Sequence, residues 1–353
     1  MSCWISVAVQ TPAHSSVAGP LTYRSELPLP PGTLVRAPLG SREVLGIVWS
    51  PADGPPDGRA AEATRTIAGA LEGIEPLSAP WLELVAFAAG YYQRALGELA
   101  LAALPPQLRE LSSTQLARRL KAGASKPRDA SAGNAIEKNP DFIALSDQQT
   151  LALAEFDSKP GPFLLFGATG SGKTEVYLHA VAALLERDPG AQALVMVPEI
   201  NLTPQLEARF NARFAPRYGD RSVVSLHSGM THPQRLKSWL AAHSGAARIV
   251  LGTRMAVFAS MPGLKLIVVD EEHDPSYKQQ EGARYSARDL AVYRGRLDGA
   301  KVLLGSATPS LESWHHSRPA TADDPGGRYT RLVMPGRIGD AGFPKVRRVD
   351  MNH

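Results

Sequence analysis

The sequence predicts an α/β protein, with a parallel sheet covered by helices and a small β-rich unit before it. Three observations predict this fold class. From about residue 145, short apolar runs of strand type alternate with helix-length segments. Residues 1–105 show alternating strand patterns followed by helical spacing, and a polar, basic stretch separates the two regions. The 353 residues are enough for two or three domains with a proper core.

The first unit, predicted over 1–105, begins with a hairpin. Gly32–Pro38 alternates in polarity and ends at the turn Leu39-Gly40, and Val44–Trp49 is typical of the returning strand. From Trp81 the apolar residues recur at helical intervals, and a second helix is predicted over Leu96–Leu104.

Residues 106–144 are predicted to form a basic flexible linker. Positions 111–140 hold six Lys or Arg against two Asp or Glu and few large apolar side chains, so they cannot bury enough surface to offset ordering. This stretch is also too short for a winged-helix domain. Residues 321–353 are rich in Gly, Asp and Arg, and we interpret them as a linker or the start of a further domain.

The second unit, predicted over 145–320, has the pattern of a parallel sheet. Continuous apolar strands that alternate with helices indicate a sheet covered on both faces. Glu175–Arg187, for example, places its apolar residues on one helical face. The predicted strands are Pro162–Phe166, Ala193–Val197, Val223–Leu226, Ile249–Leu251, Leu266–Val269 and Val302–Leu304.

The strongest motif is GATGSGKT at 167–174, which has the spacing G-x-x-x-x-G-K-[ST] of a P-loop. It follows a predicted strand and precedes a predicted helix, as a P-loop requires. Backbone N–H groups of such a loop surround phosphate oxygens, and the helix N-terminus adds partial positive charge. The motif predicts ATP as ligand, with Lys173 on the β- and γ-phosphates and Thr174 on Mg²⁺. The predicted phosphate-binding residues are Gly167, Ala168, Thr169, Gly170, Ser171, Gly172, Lys173 and Thr174.

A second motif, DEEH at 270–273, follows the strand run Leu266–Val269. A strand that ends in Asp is the usual partner of a P-loop, because the carboxylate holds the magnesium shell. The next Glu can orient or deprotonate the attacking water. We therefore predict Asp270 as the second magnesium residue and Glu271 as the general base, with Lys173 as the third catalytic residue.

Polar tripeptides follow three more predicted strands: PEI at 198–200, GTR at 252–254 and SAT at 306–308. The carboxyl ends of parallel strands share one edge, where ligands bind, so these loops should converge on one crevice. Residues 276–294 combine basic side chains with three Tyr and two Gln. That composition suits nucleic-acid contact, since bases stack on aromatic rings, but equally suits a solvated helical surface.

Composition excludes several other classes. The single cysteine, Cys3, rules out a disulfide scaffold and a cysteine-cluster zinc site within these residues. The N-terminus has no signal-peptide pattern, and no apolar run approaches the ~20 residues that cross a bilayer. We therefore expect a cytoplasmic protein without a membrane partner. The net charge of +4 permits a nucleic-acid partner.

Together these motifs resemble the first motor lobe of the PriA family, the superfamily 2 DNA helicases of replication restart. The resemblance covers about 145–315. Its segments are the P-loop, PEINLTPQ (198–205), LHSGM (226–230), GTRMAVF (252–258), DEEHDPSYKQQEGARYSARDLAVYR (270–294) and GSATPSLESW (305–314). LSDQQ (145–149) is similar to the family's glutamine motif, which makes Gln149 the expected adenine contact. Residues 1–105 resemble the family's domain that captures the 3′ end of a nascent strand.

The resemblance implies a RecA-like lobe and ATP-driven 3′-to-5′ unwinding at abandoned forks. The implied partners are forked, branched and single-stranded DNA, single-stranded DNA-binding protein and primosome proteins. The family also has a second lobe with an arginine finger and a zinc insertion, so we expect a piece of a longer protein, slow hydrolysis here, and Zn²⁺ only from the missing region. The implied DNA-binding or coupling residues are Thr253, Arg254, Tyr277, Lys278, Gln279, Arg284, Tyr285, Ser306 and Thr308.

Two other interpretations remain open from the sequence. The chain could belong to another superfamily 2 translocase, which would show no preference for a 3′ end. It could also be a nucleotide-gated adaptor that binds DNA or protein without acting as an enzyme.

Overall fold

The computed structural model describes residues 3–11, 19–55, 64–111, 115, 116, 118 and 144–337. The first unit contains a five-stranded antiparallel sheet in the order β2-β1-β4-β3-β5. The predicted hairpin is confirmed, with its turn at Gly40 in the left-handed region (φ 61°). Two strands at the N-terminus were not predicted. The strands are Cys3–Val9 (β1), Leu21–Ser25 (β2), Leu34–Leu39 (β3), Arg42–Ala52 (β4) and Gly69–Ala70 (β5).

Three helices follow: Ala79–Tyr91 (α1), Leu96–Ala102 (α2) and Gln107–Glu110 (α3). The helix α1 begins where the Ser78 hydroxyl accepts the Trp81 N–H, and its Trp81, Leu84 and Val85 are buried.

The first unit continues beyond the predicted boundary at 105. The buried guanidinium of Arg36 donates to the carbonyl oxygens of Leu108, Arg109 and Leu111, and Leu108 is fully buried. These contacts hold the start of the predicted linker against the small sheet. Residues 112–114, 117 and 119–143 of that linker lie outside the described residues.

The second unit is built on a seven-stranded sheet in the order β12-β6-β11-β10-β7-β9-β8, in which every pair of neighbouring strands is parallel. This confirms the predicted parallel sheet. Its strands are Phe163–Gly167 (β6), Gln192–Met196 (β7), Val223–Leu226 (β8), Ile249–Gly252 (β9), Leu264–Val269 (β10), Lys301–Ser306 (β11) and Thr330–Met334 (β12). Its helices are Asp147–Ser158 (α4), Lys173–Arg187 (α5), Pro204–Tyr218 (α6), His232–His243 (α7), Ala287–Asp298 (α8) and Leu311–His316 (α9).

The seventh strand corrects the interpretation of 321–353. Thr330–Met334 pairs in parallel with β6 along its whole length, and Leu332 is fully buried. Residues 330–334 therefore complete the edge of this sheet and do not belong to a linker or a further domain. Residues 338–353 lie outside the described part of the chain.

Each face of the parallel sheet carries its own apolar core. Val268 packs with helices α5 and α6 on one face, and its neighbours Ile267 and Val269 pack on the other, as the alternation of a strand requires. The core on this second face also contains Trp81 and Leu84 of α1, so the first unit is docked on the parallel-sheet unit through α8. Across the described residues, no helix has the length and apolarity to cross a membrane.

Candidate nucleotide site at the carboxyl edge of the sheet

The P-loop connects β6 to α5. Gly170 and Gly172 adopt left-handed conformations (φ 84° and 79°), which side chains other than glycine rarely tolerate. The Ser171 N–H donates to the Ala168 carbonyl at 3.0 Å and closes the turn. A Cβ on Gly167 would lie 2.6 Å from Ser171 Oγ and 3.2 Å from the Met334 carbonyl oxygen, so a larger residue would crowd the start of the loop. The sequence therefore fixes this loop shape locally.

Lys173, the first residue of α5, points back into the loop. Its Nζ donates to the Gly167 carbonyl at 3.0 Å and lies 3.8 Å from Glu271 Oε1, and the side chain is 8% exposed. Ser171 Oγ is buried and has no hydrogen-bond partner among the described residues. A buried cation and an unsatisfied hydroxyl in one glycine loop fit a triphosphate, whose oxygens accept from both.

Gln149 lies beside this loop but uses its carboxamide within the protein. Its oxygen accepts the Ser146 N–H at 2.8 Å, and its nitrogen donates to the Gly172 carbonyl at 3.1 Å. The residue is 1% exposed and completes the capping box of α4. The structure thus shows a link between α4 and the P-loop, and adenine contact by Gln149 stays a prediction.

Asp270 follows β10 and is held by two tyrosines. Its Oδ1 accepts the Tyr177 hydroxyl at 2.9 Å, and its carbonyl accepts the Tyr277 hydroxyl at 2.7 Å. Burial raises the pKa of the Asp270 carboxyl, although the Tyr177 hydrogen bond opposes the shift. Burial raises the pKa of Tyr177 well above its ordinary value, and the charge of Asp270 adds to this shift. The phenol therefore stays protonated and donates the hydrogen bond to Asp270.

Glu271 adopts a left-handed conformation (φ 45°), which is uncommon for a residue with a side chain. Its carboxylate lies 3.8 Å from Lys173 Nζ and 3.6 Å from His273 Nδ1. The three predicted catalytic residues Lys173, Asp270 and Glu271 therefore come together at one sheet edge.

Glu272 and His273 have contacts that the sequence did not predict. The buried carboxylate of Glu272 accepts the Ser310 N–H at 2.8 Å, and it also accepts from Ser313 Oγ and Arg288 Nη1. The His273 Nδ1 lies 2.8 Å from Ser306 Oγ. The serines at 306, 310 and 313, at the end of β11 and just after it, are a sequence signal that could have indicated these contacts.

A second feature of this edge is a cavity of about 440 Å³ between the parallel-sheet unit and α2. Thr253, Arg254, Gln279 and Tyr285 of the predicted DNA-binding set line it, together with Glu199. Arg254 donates to the Ser276 carbonyl at 3.1 Å, and Thr253 Oγ1 is buried without a hydrogen-bond partner in the described part of the chain. The predicted loops at 198–200 and 252–254 therefore converge on this cavity with residues 279–285, whereas Ser306 of the third polar loop contacts His273 of the acidic motif.

Burial corrects the expectation that Tyr277 and Tyr285 are available for base stacking. Tyr277 and Tyr285 are 2% and 8% exposed, and Tyr285 packs edge-on against Phe258 with ring centroids 5.1 Å apart. Desolvation raises the pKa of Tyr285 to about 12. Ser306 is also fully buried. Within the predicted DNA-binding set, the exposed side chains are Lys278, Arg284 and Thr308.

Comparison with known families agrees with this geometry. The model for DEAD/DEAH box helicases matches residues 146–316, and the model for the 3′ DNA-binding domain of PriA matches residues 6–105. The fold and site are those of a DEAD/DEAH box helicase domain. The chain belongs to the PriA family.

Individual relatives support that assignment. The replication restart protein PriA of Haemophilus influenzae is 44% identical over 59% of this chain and 27% of its own length. The Rickettsia conorii protein is 33% identical over 94% of this chain and 46% of its length. The chain therefore spans less than half the length of these relatives. A solved structure of the helicase MrfA bound to DNA is similar at 18% identity and TM-score 0.41, over 64% of this chain and 35% of that one.

Proposed function

We propose that this chain carries the ATP-binding lobe and the 3′-end-binding domain of an ATP-dependent 3′–5′ DNA helicase. Such an enzyme would recognise stalled or abandoned replication forks and promote primosome assembly and reloading of the replicative helicase. The observation that carries the proposal is the buried Lys173 inside the glycine loop, facing Glu271 beside Asp270.

Each residue of the site has a role in this proposal. Lys173 and the P-loop N–H groups bind the β- and γ-phosphates. Thr174 and Asp270 would hold Mg²⁺, whose charge would help to neutralise the transferring phosphate. Glu271 orients or deprotonates water. Tyr177 orients the Asp270 carboxylate by hydrogen bonding to Oδ1.

The proposed partners are forked and branched DNA, single-stranded DNA, single-stranded DNA-binding protein and primosome proteins. Family membership supports them, and a role at replication forks also supports a cytoplasmic location. The exposed cations Lys278 and Arg284, next to the cavity, are suited to phosphate contacts. Among the described residues, no cluster of three or more His, Cys, Asp or Glu could hold a metal, so the proposal assigns zinc no ligands here.

Nucleotide binding tests the core of this proposal. We expect a fluorescent ATP analogue to bind the chain in a Mg²⁺-dependent manner, and Lys173→Ala to weaken binding roughly 10- to 100-fold, since a charged hydrogen bond contributes about 1.5–3 kcal/mol. Lys159→Ala is the matched control, because that lysine is exposed and pairs with the exposed Glu155, away from the P-loop contacts described above. Absence of binding by the unmodified chain would overturn the proposal.

DNA binding tests the second part of the proposal, the recognition of a 3′ end by the first unit. Fluorescence anisotropy with a forked oligonucleotide should show tighter binding when its leading-strand 3′ hydroxyl is free than when a 3′ phosphate blocks it. Equal affinities would favour a translocase without 3′-end recognition.

A further inference from the structure

A buried carboxylate lies in the first turn of α5, one residue after Thr174. Glu175 is 4% exposed, and its Oε2 accepts from Nη2 of Arg209 in α6 at 2.8 Å. Its Oε1 lies 2.9 Å from Nη1 of Arg213 in α6 and 3.3 Å from Nε2 of His179 in α5. One carboxylate therefore ties the start of α5 to the neighbouring helix.

Stability does not explain why this ion pair is buried. Removing a carboxylate and a guanidinium from water costs about as much as their attraction returns, and apolar residues of similar size are often equally stable there. Arg213 is 6% exposed, so its charge is desolvated together with that of Glu175. Glu186 and Arg217 join the same two helices near their C-terminal ends, and there both side chains are exposed. Of these two pairs, the buried one is the pair beside the P-loop.

Thr174 lies between two side chains that fix the rotation of the first turn of α5. Lys173 donates to the Gly167 carbonyl inside the loop, and Glu175 faces α6. Successive residues of a helix leave its axis about 100° apart, so the direction of Thr174 is set by these two neighbours. Mg²⁺ takes a near-octahedral shell with ligand oxygens at about 2.0–2.1 Å. A small rotation of this turn would therefore move the Thr174 hydroxyl out of a suitable position.

We propose that Glu175 is a positioning residue for the Thr174 hydroxyl, and that Arg209 and Arg213 of α6 hold Glu175 in place. This inference rests on the proposed function and adds a residue to its magnesium site. Glu175 is not itself a ligand, because both of its oxygens face the two arginines. Loss of the cluster weakens the magnesium-dependent part of nucleotide binding and spares the part that Lys173 and the P-loop N–H groups provide.

The test measures a magnesium factor, the ratio of the dissociation constants of a fluorescent ATP analogue without and with Mg²⁺. Arg209→Met removes the hydrogen bond to Glu175 at the exposed side of the cluster, where the fold should tolerate the change. We expect the magnesium factor to fall about three- to tenfold, somewhat less than the ~10–100-fold that loss of an outer-shell partner typically costs. Arg217→Met is the matched control, since Arg217 lies in the same helix and pairs with the exposed Glu186 of α5.

The sign of the change separates this effect from simple loss of charge. The nucleotide without Mg²⁺ carries more negative charge than its magnesium complex, so loss of a nearby positive charge alone would weaken binding more without Mg²⁺ and raise the magnesium factor. A fall in the factor therefore reports the position of Thr174.

Glu175→Asp changes the position of the carboxylate and keeps its charge. The side chain is one methylene shorter and cannot keep both arginine contacts, so the magnesium factor should fall here as well, whereas Glu186→Asp should leave it unchanged. If Glu175 acts through Thr174, adding Glu175→Asp to Thr174→Val lowers the factor no further than Thr174→Val alone.

Urea titrations show which variants fold, and Arg209→Met decides if Glu175→Asp does not. An unchanged or raised magnesium factor in Arg209→Met overturns the inference, even where the free energy of unfolding falls, because the cluster is then only structural. An unchanged factor in folded Glu175→Asp, an equal loss in the control variants, or additive losses with Thr174→Val also overturns it. An unmodified chain that binds no nucleotide, or binds it equally without Mg²⁺, refutes the proposed function instead, so the two failures are distinguishable.

Discussion

Gly305 lies in β11, where its missing side chain leaves room for the tyrosine that contacts Asp270. An ideal Cβ at this position would be 1.7 Å from Tyr177 Oη and 2.8 Å from Cζ, closer than real Cβ atoms approach. Tyr177 is fully buried and donates to Asp270 Oδ1 at 2.9 Å. Gly305→Ala must therefore displace the phenol by more than about 1 Å in a close-packed core, and the hydrogen bond to Asp270 must break.

The cost has two parts. Overpacking a well-packed core costs about 1–3 kcal/mol, and losing a hydrogen bond to a charged group costs about 1.5–3 kcal/mol. We expect Gly305→Ala to lower the free energy of unfolding by about 3–5 kcal/mol in urea titrations and to weaken binding of the magnesium–nucleotide complex. Gly90→Ala is the control, because a Cβ there meets nothing within 4 Å and its helical site should tolerate alanine.

A comparison in the Tyr177→Phe background can refute this reasoning. It removes the oxygen that clashes, and the closest remaining ring atom needs to move by only a few tenths of an ångström. In the Tyr177→Phe background, Gly305→Ala should therefore cost about 1–3 kcal/mol less than it does alone. If the two losses add to within about 0.5 kcal/mol, the clash with the hydroxyl does not determine the effect, and the reasoning fails.

Two further predictions concern stability. Glu272→Ala should lower the free energy of unfolding by about 3–5 kcal/mol, because it leaves the Arg288 guanidinium and the Ser310 N–H without their buried acceptor. The exposed Glu312→Ala is the control and should change the free energy of unfolding by no more than about 0.5 kcal/mol. Burial lowers the pKa of His243, which contacts Ser260 Oγ and the Glu75 carbonyl. The neutral form of His243 therefore stabilises the fold above the unfolded-state pKa of about 6.5, and this stabilisation is lost as the pH falls below that value. Between pH 7 and pH 5, the melting temperature should fall less for His243→Gln than for the unmodified chain.

The parallel sheet could be predicted because central strands are apolar on both faces. The five central strands were predicted to within two residues at each end. Val223–Leu226, which is an edge strand, was predicted with the bounds that the structure has, because it begins and ends with a buried apolar residue. Thr330–Met334 was missed because it is an edge strand with a polar start and an exposed Val333. Only its pairing with β6 makes it a strand, and that pairing is not local in sequence.

The candidate site also has a part that could be predicted from the sequence and a part that could not. The P-loop could be predicted because its glycine conformations and helix start are set by eight consecutive residues. The hydrogen bond from Tyr177 to Asp270 joins residues 93 positions apart and depends on the register of β10 and β11. Composition also could not tell whether the tyrosines of 276–294 face solvent, since Tyr277 is as compatible with a buried hydroxyl contact as with base stacking.

The acidic motif at 270–273 contacts several separate elements of the fold. The left-handed conformation of Glu271 turns the chain sharply, so neighbouring side chains leave in different directions. Asp270 contacts α5, Glu271 faces Lys173, and Glu272 binds the N-terminus of α9 together with Arg288 of α8. Because α8 also packs on α1 of the first unit, a movement of either domain reaches the same turn. The buried contacts of Glu272 therefore tie α8 and the start of α9 to the turn that carries Asp270 and Glu271.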